Sequence, residues 1–144
     1  MTAATAASQD RETATARPVR KVLIANRGEI ALRIVRACKD LGIASVAAYS
    51  AADAGALFVT LADDAFRLEG RTAAETYLSI PTMIELAQKS GADAIHPGYG
   101  YLAESAEFAT AVSEAGLTWV GAPPEAIRAL GDKAGARAVA QAVG

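Results

Sequence analysis

From Val19 onward the apolar residues fall into short runs alternating with longer stretches of helical spacing. Val22-Leu23-Ile24-Ala25 is a run long enough for a buried strand. Across Glu29–Leu41 the pattern turns helical, with Ile30, Ile34, Ala37 and Leu41 separated by four, three and four residues. Gly42 then stands where a glycine ends a helix. Further strands are predicted at Ser45–Tyr49, Ala65–Leu68, Ala94–His96 and Leu117–Val120, the second of these by a weaker pattern. Helices are predicted at Ala56–Leu61, at Ser79–Lys89 with Pro81 in the first turn, and at Ser105–Ala115 ahead of Gly116. Two more, Ala126–Leu130 and Lys133–Val143, are broken at Gly131-Asp132.

Strand and helix alternating about five times imply an α/β fold with an open, doubly wound, mainly parallel sheet covered on both faces. Ligands of such sheets bind beyond the carboxyl ends of the strands. Two loops are expected there, Asn26-Arg27-Gly28 and Pro97-Gly98-Tyr99-Gly100. No long internal repeat accompanies the alternation.

Composition narrows the picture. Ala supplies 36 of the 144 residues, so much of the 52% hydrophobic content is small helix former rather than bulky core. The length suits about one domain. Residues 1–18 lack aromatic and large aliphatic side chains between Met1 and Arg17, and are expected to be a disordered tail. The domain proper is expected over 19–131, with 132–144 beginning a linker to something further. One cysteine, Cys38, excludes an intramolecular disulfide framework, and one histidine, His96, excludes a histidine metal cluster. No metal site is expected in this chain. A net charge of −2 argues against a nucleic-acid face, and no apolar run approaches a membrane span. The tail lacks the apolar stretch of a signal peptide, and a cytoplasmic location with reduced Cys38 is expected.

The first loop carries one glycine, Gly28, where a dinucleotide site would have three, and Glu29 would repel a phosphate at the helix start. NAD binding and a Walker-type phosphate loop are therefore disfavoured. Glu29, Arg33, Arg36 and Asp40 share one face of the first long helix. By pattern alone they are a solvated stripe of i,i+4 charge pairs worth a few tenths of a kcal/mol each. His96-Pro97-Gly98-Tyr99-Gly100-Tyr101 is the densest unusual segment. Its glycines allow a sharp turn that could present a backbone amide or the Tyr99 ring to a ligand, with Glu104 and Ser105 opening the next helix. The plain alternative is a structured turn with His96 as a satisfied core residue. Asp132 is a good cap for the last helix, and Lys133 in its first turn opposes the helix dipole unless an anion offsets it.

These segments resemble one family in order and spacing: KVLIANRGEIALRIVRACKDLGI, DAIHPGYGYLAES, TWVG and GDK. Together they are similar to the amino-terminal domain of biotin carboxylases, a Rossmann-like domain that precedes an ATP-grasp fold. The resemblance runs from about Arg20 to the end. It implies a parent ligase that uses MgATP (or the Mn2+ complex) to convert bicarbonate to carboxyphosphate, with CO2 then passed to biotin on a carrier domain. It also implies that Lys133 contacts ATP and that Tyr99 and Gly100, with Glu104 just beyond, lie near the biotin and bicarbonate pocket. Arg36 and Asp40 match the helix that family dimers use. Implied partners are the ATP-grasp and carboxy-terminal domains, a biotin carboxyl carrier domain, a carboxyltransferase subunit and a second copy in a homodimer. The family's GFLSEN is GYLAES here, and its IGP is Val120-Gly121-Ala122-Pro123-Pro124.

The family's metal carboxylates, bicarbonate arginine and catalytic base match nothing in this chain, so no catalytic residue is expected in it. The chain alone is expected to be inactive. The segment ADAGALFVTLADDAFRLEGRTAAETYL looks most like the alpha chains of bacterial acetyl- or propionyl-CoA carboxylases. Pyruvate carboxylase and free-standing biotin carboxylase share the main motifs. A non-catalytic binding or dimerisation module is the competing class. A phosphoacceptor switch domain is disfavoured because no aspartate cluster ends the early strands.

Overall fold

The computed structural model describes residues 17–144, so the expected tail lies almost wholly outside the described residues. Five parallel strands form one sheet in the order β3-β2-β1-β4-β5. They are β1 (Lys21–Ile24), β2 (Ala44–Tyr49), β3 (Asp64–Arg67), β4 (Ala94–His96) and β5 (Thr118–Trp119). The helices are α1 (Gly28–Asp40), α2 (Leu57–Leu61), α3 (Ile80–Ser90), α4 (Ala106–Glu114), α5 (Pro124–Gly131) and α6 (Lys133–Val143).

The expected doubly wound fold is the one observed. Side chains of a strand point alternately to the two faces of a sheet. In β1, Val22 and Ile24 join one core with Ala31, Ile34, Val35 and Phe58 of α1 and α2. Leu23 joins the other, with Met83, Leu86, Phe108 and Val112 of α3 and α4. Both faces are buried, which is why the central strands read as apolar runs rather than as alternation.

Local chemistry ends the elements close to where the sequence predicts. Ser79 and Ser105 each cap a helix, their hydroxyls accepting the amides of Thr82 and Phe108. Pro81 sits in the first turn of α3. Asp93 accepts the amides of Arg20 and Lys21 at 3.0–3.1 Å, tying the start of β1 to the start of β4. The edge strands depart from expectation. The strand expected at 117–120 shrinks to two residues, and the one at 65–68 slides back to Asp64–Arg67. An edge strand has one partner, so apolar residues at its ends can leave the ladder and still pack. Leu117 packs on the core beside Trp119, and Leu68 is buried while its amide still reaches Tyr49 O at 2.7 Å.

Phe108 is fully buried and meets Trp119 edge-on, with ring centroids 5.5 Å apart. Phe108→Ala is expected to cost about 3–5 kcal/mol of stability. Urea unfolding followed by Trp119 fluorescence measures it.

Candidate functional site

The order β3-β2-β1-β4-β5 reverses between β1 and β4, and a crevice opens beyond the carboxyl ends of those two strands. Asn26 follows β1 and is buried at its base. Its amide donates to the carbonyls of Pro97 and Tyr99, both at 2.8 Å, and its Oδ1 accepts the Arg27 N–H. One side chain thus clamps the glycine loop onto the first loop. Gly98 lies against Asn26 with φ +66°, and a Cβ there would stand 2.8 Å from Asn26 Nδ2 and 3.1 Å from Ile30. Only glycine meets both constraints.

The Gly98 amide donates to His96 Nδ1 at 3.0 Å. Burial holds the His96 pKa below its ordinary value. The loop uses the neutral imidazole, because a proton on Nδ1 would remove the acceptor. His96 Nδ1 is thus occupied within the loop's own turn. Tyr99 is exposed, and its hydroxyl donates to Glu29. The crevice between these loops, about 390 Å³, is lined by Asn26 to Ile30 and by Tyr99, Gly100 and Tyr101.

A second cluster lies at the same edge of the sheet. Arg27 meets Asp53 with two N–H groups, Nε to Oδ2 at 2.7 Å and Nη2 to Oδ1 at 2.6 Å. The Tyr77 hydroxyl donates to Asp53 Oδ2 at 2.8 Å and accepts the Ser50 amide at 3.0 Å. The Arg27 bond keeps the Asp53 pKa below the usual carboxylate range, against the opposing effect of burial. Burial pushes Tyr77 up to about 12, so it remains a donor at neutral pH. Sequence reasoning missed this cluster. Its members come from three separate connections, and no local spacing joins them.

The expected site residues do not form one constellation. Tyr99 and Gly100 share the crevice. Glu104 lies in a 3-10 turn (Tyr101–Glu104), not at the start of α4, and lines a separate cavity of about 460 Å³ with Ile127 and Leu130 of α5. The expectation that Glu104 opens a helix is thus corrected: Gly100 and Tyr101 carry positive φ, and Ser105 takes the cap. Lys133 is exposed in the first turn of α6, beside Asp132, whose carboxylate accepts the amides of Ala134 and Gly135. Arg36 and Asp40 are exposed on α1. Neither Arg36–Asp40 nor Glu29–Arg33 closes into an ion pair; the pairs among the described residues are Lys21–Asp64 and Arg27–Asp53. Glu29 is turned to Tyr99 instead. In the TWVG segment, the Trp119 indole N–H donates to Ala122 O at 2.8 Å, and a Cβ on Gly121 would stand 2.8 Å from that nitrogen. Cys38 is buried, which raises its thiol pKa. Among the described residues no three His, Cys, Asp or Glu side chains gather as a metal site, and no helix is long and apolar enough to cross a membrane.

The family described as biotin carboxylase, N-terminal domain, matches residues 18–127, and the chain belongs to that family. It is 57% identical over 122 residues to the biotin-dependent acyl-coenzyme A carboxylase alpha3 subunit of Mycobacterium leprae, covering 85% of this chain and 20% of that protein. It is 48% identical over 129 residues to the mitochondrial pyruvate carboxylase of Rattus norvegicus, covering 89% of this chain and 11% of that protein. A solved biotin carboxylase domain of a single-chain bacterial carboxylase superposes with a TM-score of 0.81 at 50% identity, over 85% of this chain and 28% of that one. The chain spans under a third of each.

Two predictions follow from this geometry. Gly98→Ala is expected to cost at least about 2 kcal/mol, while Gly116→Ala, with φ +76° and no neighbour in reach, costs about 1–2 kcal/mol from the backbone alone. Urea midpoints of the two variants compare them; equal losses would mean that Asn26 yields freely. The second concerns pH. Below about 6.5 the unfolded chain takes up a proton on His96 that the folded chain resists. Stability contributed by neutral His96 is therefore complete above about 6.5 and declines as pH falls toward the lower folded value. His96→Gln is expected to flatten that part of a stability-against-pH curve.

Proposed function

We propose that the chain is the amino-terminal domain of the biotin carboxylase subunit of an acetyl- or propionyl-CoA carboxylase. The observation that carries the biotin carboxylase part of this reading is the Tyr99–Gly100 loop, clamped by Asn26 over the crevice where the strand order reverses. Of the two relatives compared above, the acyl-CoA carboxylase subunit shares more of its residues with this chain than the pyruvate carboxylase does. An amino-terminal domain of pyruvate carboxylase is the second reading, supported by the 48% identity over 129 residues to the Rattus norvegicus enzyme.

When bound, MgATP and bicarbonate supply an activated carboxyl group, and biotin on its carrier domain receives it. This chain's own residues bind and orient. The Gly100 amide makes no hydrogen bond among the described residues and lies beside the exposed Tyr99 ring, so together they suit the polar edge and flat face of a ureido ring. Glu29 fixes the Tyr99 hydroxyl. The exposed Lys133 ammonium suits a phosphate, and α6 orients it through the Asp132 cap. Glu104 faces the neighbouring cavity, where α5 brings the chain toward Lys133. In this reading Mg2+ or Mn2+ would be held mainly by the other domains of the parent enzyme. Arg36 and Asp40, exposed and unpaired with each other, suit contact with a second copy. The remaining partners in this reading are the ATP-grasp and carboxy-terminal domains, the biotin carrier and a carboxyltransferase subunit, in the cytoplasm.

The native product in its source cells tests the reading by streptavidin blot, intact mass and carboxylation assays. A biotinylated chain much longer than 144 residues that carboxylates acetyl- or propionyl-CoA is expected. Carboxylation of pyruvate would establish the second reading. A longer chain without biotin would indicate a biotin carboxylase with a separate carrier, and a native chain ending at Gly144 would leave a binding module. The purified 144-residue chain is expected to show no biotin-dependent ATP cleavage.

A further inference from the structure

Tyr101 is the one residue other than glycine with a positive φ, +45°, among the described residues. An L residue holds that backbone only where its surroundings fix it. Tyr101 directly follows Gly100, so what fixes it also shapes the loop. Asn26 grips the near side of the loop, at Pro97 and Tyr99. The far side has a short turn bond, Ala103 N–H to Gly100 O at 2.9 Å, the Leu102 side chain buried in the core, and the Tyr101 ring, which rests on Tyr77 with centroids 5.6 Å apart at 47°.

Tyr77 cannot swing away freely. It is 3% exposed, and its hydroxyl is held by Asp53 and by the Ser50 amide. Asp53 is held in turn by both Arg27 N–H groups. The series takes one member from each of the first four connections that leave the strands' carboxyl ends: Arg27 after β1, Asp53 after β2, Tyr77 after β3 and Tyr101 after β4. An isolated ion pair would serve the fold without reaching the loop. This one ends on the residue beside Gly100.

We propose that Asp53 is a positioning residue for the Tyr99–Gly100 loop, acting through Tyr77 on the strained backbone at Tyr101. Its functional meaning rests on the reading of that loop as the biotin-facing one, whereas the mechanical coupling does not.

Amide hydrogen exchange of the 15N-labelled 144-residue chain tests it. The reporters are the Gly98 and Ala103 amides at the loop, with Ile43 and Leu117 as controls at the opposite edge of the sheet. Each reporter and control amide is hydrogen-bonded. Tyr77→Phe keeps the ring and loses the hydroxyl. It is expected to speed exchange at the loop by roughly 2- to 10-fold relative to the controls. Asp53→Asn is expected to do at least as much. Tyr101→Asn tolerates the left-handed backbone but has no ring, and is expected to speed loop exchange by roughly 2- to 10-fold. Tyr101→Phe keeps the ring and is expected to leave the loop unchanged. Uniform acceleration at both edges in Tyr77→Phe would reduce the series to a clamp on the whole fold and overturn the proposal. So would a Tyr101→Asn chain whose loop amides stay protected. If Asp53→Asn does not fold, Tyr77→Phe and Tyr101→Asn decide. A parent that carries no biotin would defeat the functional reading and leave the exchange result standing.

Discussion

The Asp53 carboxylate is buried, and a buried charge is tolerated only when it is paired and hydrogen-bonded. Arg27 supplies two N–H groups, and Tyr77 adds a hydroxyl. Meeting that demand draws three connections to one point. Through Tyr77 a fourth, the loop at Tyr101, is brought against them. The connections at the carboxyl edge of the sheet are therefore joined by side chains where a parallel sheet leaves its strand ends open. Loops that bind a ligand gain from such support, because less ordering is left for the moment of binding.

Asn26 does the complementary work. It lies at the reversal in strand order, and its polar atoms are spent on holding two loops together. Gly98 is the counterpart that lets the backbone come so close. Glu29, which argued against a phosphate at this helix start, bonds the Tyr99 hydroxyl. The same residues that argue against a dinucleotide site thus line a different crevice at the strand-order reversal. Membership in the biotin carboxylase N-terminal family agrees with that outcome.

The central elements were legible in the sequence because their signals are local. A four-residue apolar run marks β1, the spacing of Ile30 and Ile34 marks α1, and Ser79, Ser105 and Asp132 mark helix starts. The edge strands were less legible, since one-sided pairing lets Leu117 and Leu68 fall outside the strand bounds and still pack on the core. Glu104 was misplaced for a related reason. A polar residue before Ser reads as a helix opening, but the positive φ at Gly100 and Tyr101 sets a 3-10 turn first. The charge stripe on α1 has the spacing of ion pairs, yet exposed partners gain too little to hold long side chains together.

The sequence by itself determined the alternation, the double covering of the sheet, the family and the two loops at the strand ends. Each of these is carried by residues close together in the chain or by motifs in fixed order. Only the tertiary structure decided that Tyr99 and Gly100 share a crevice with Asn26 while Glu104 faces another, and that Arg27, Asp53, Tyr77 and Tyr101 form one series. Those contacts join residues 24 to 73 positions apart, and the parallel crossovers that bring them together leave no periodic trace in the sequence.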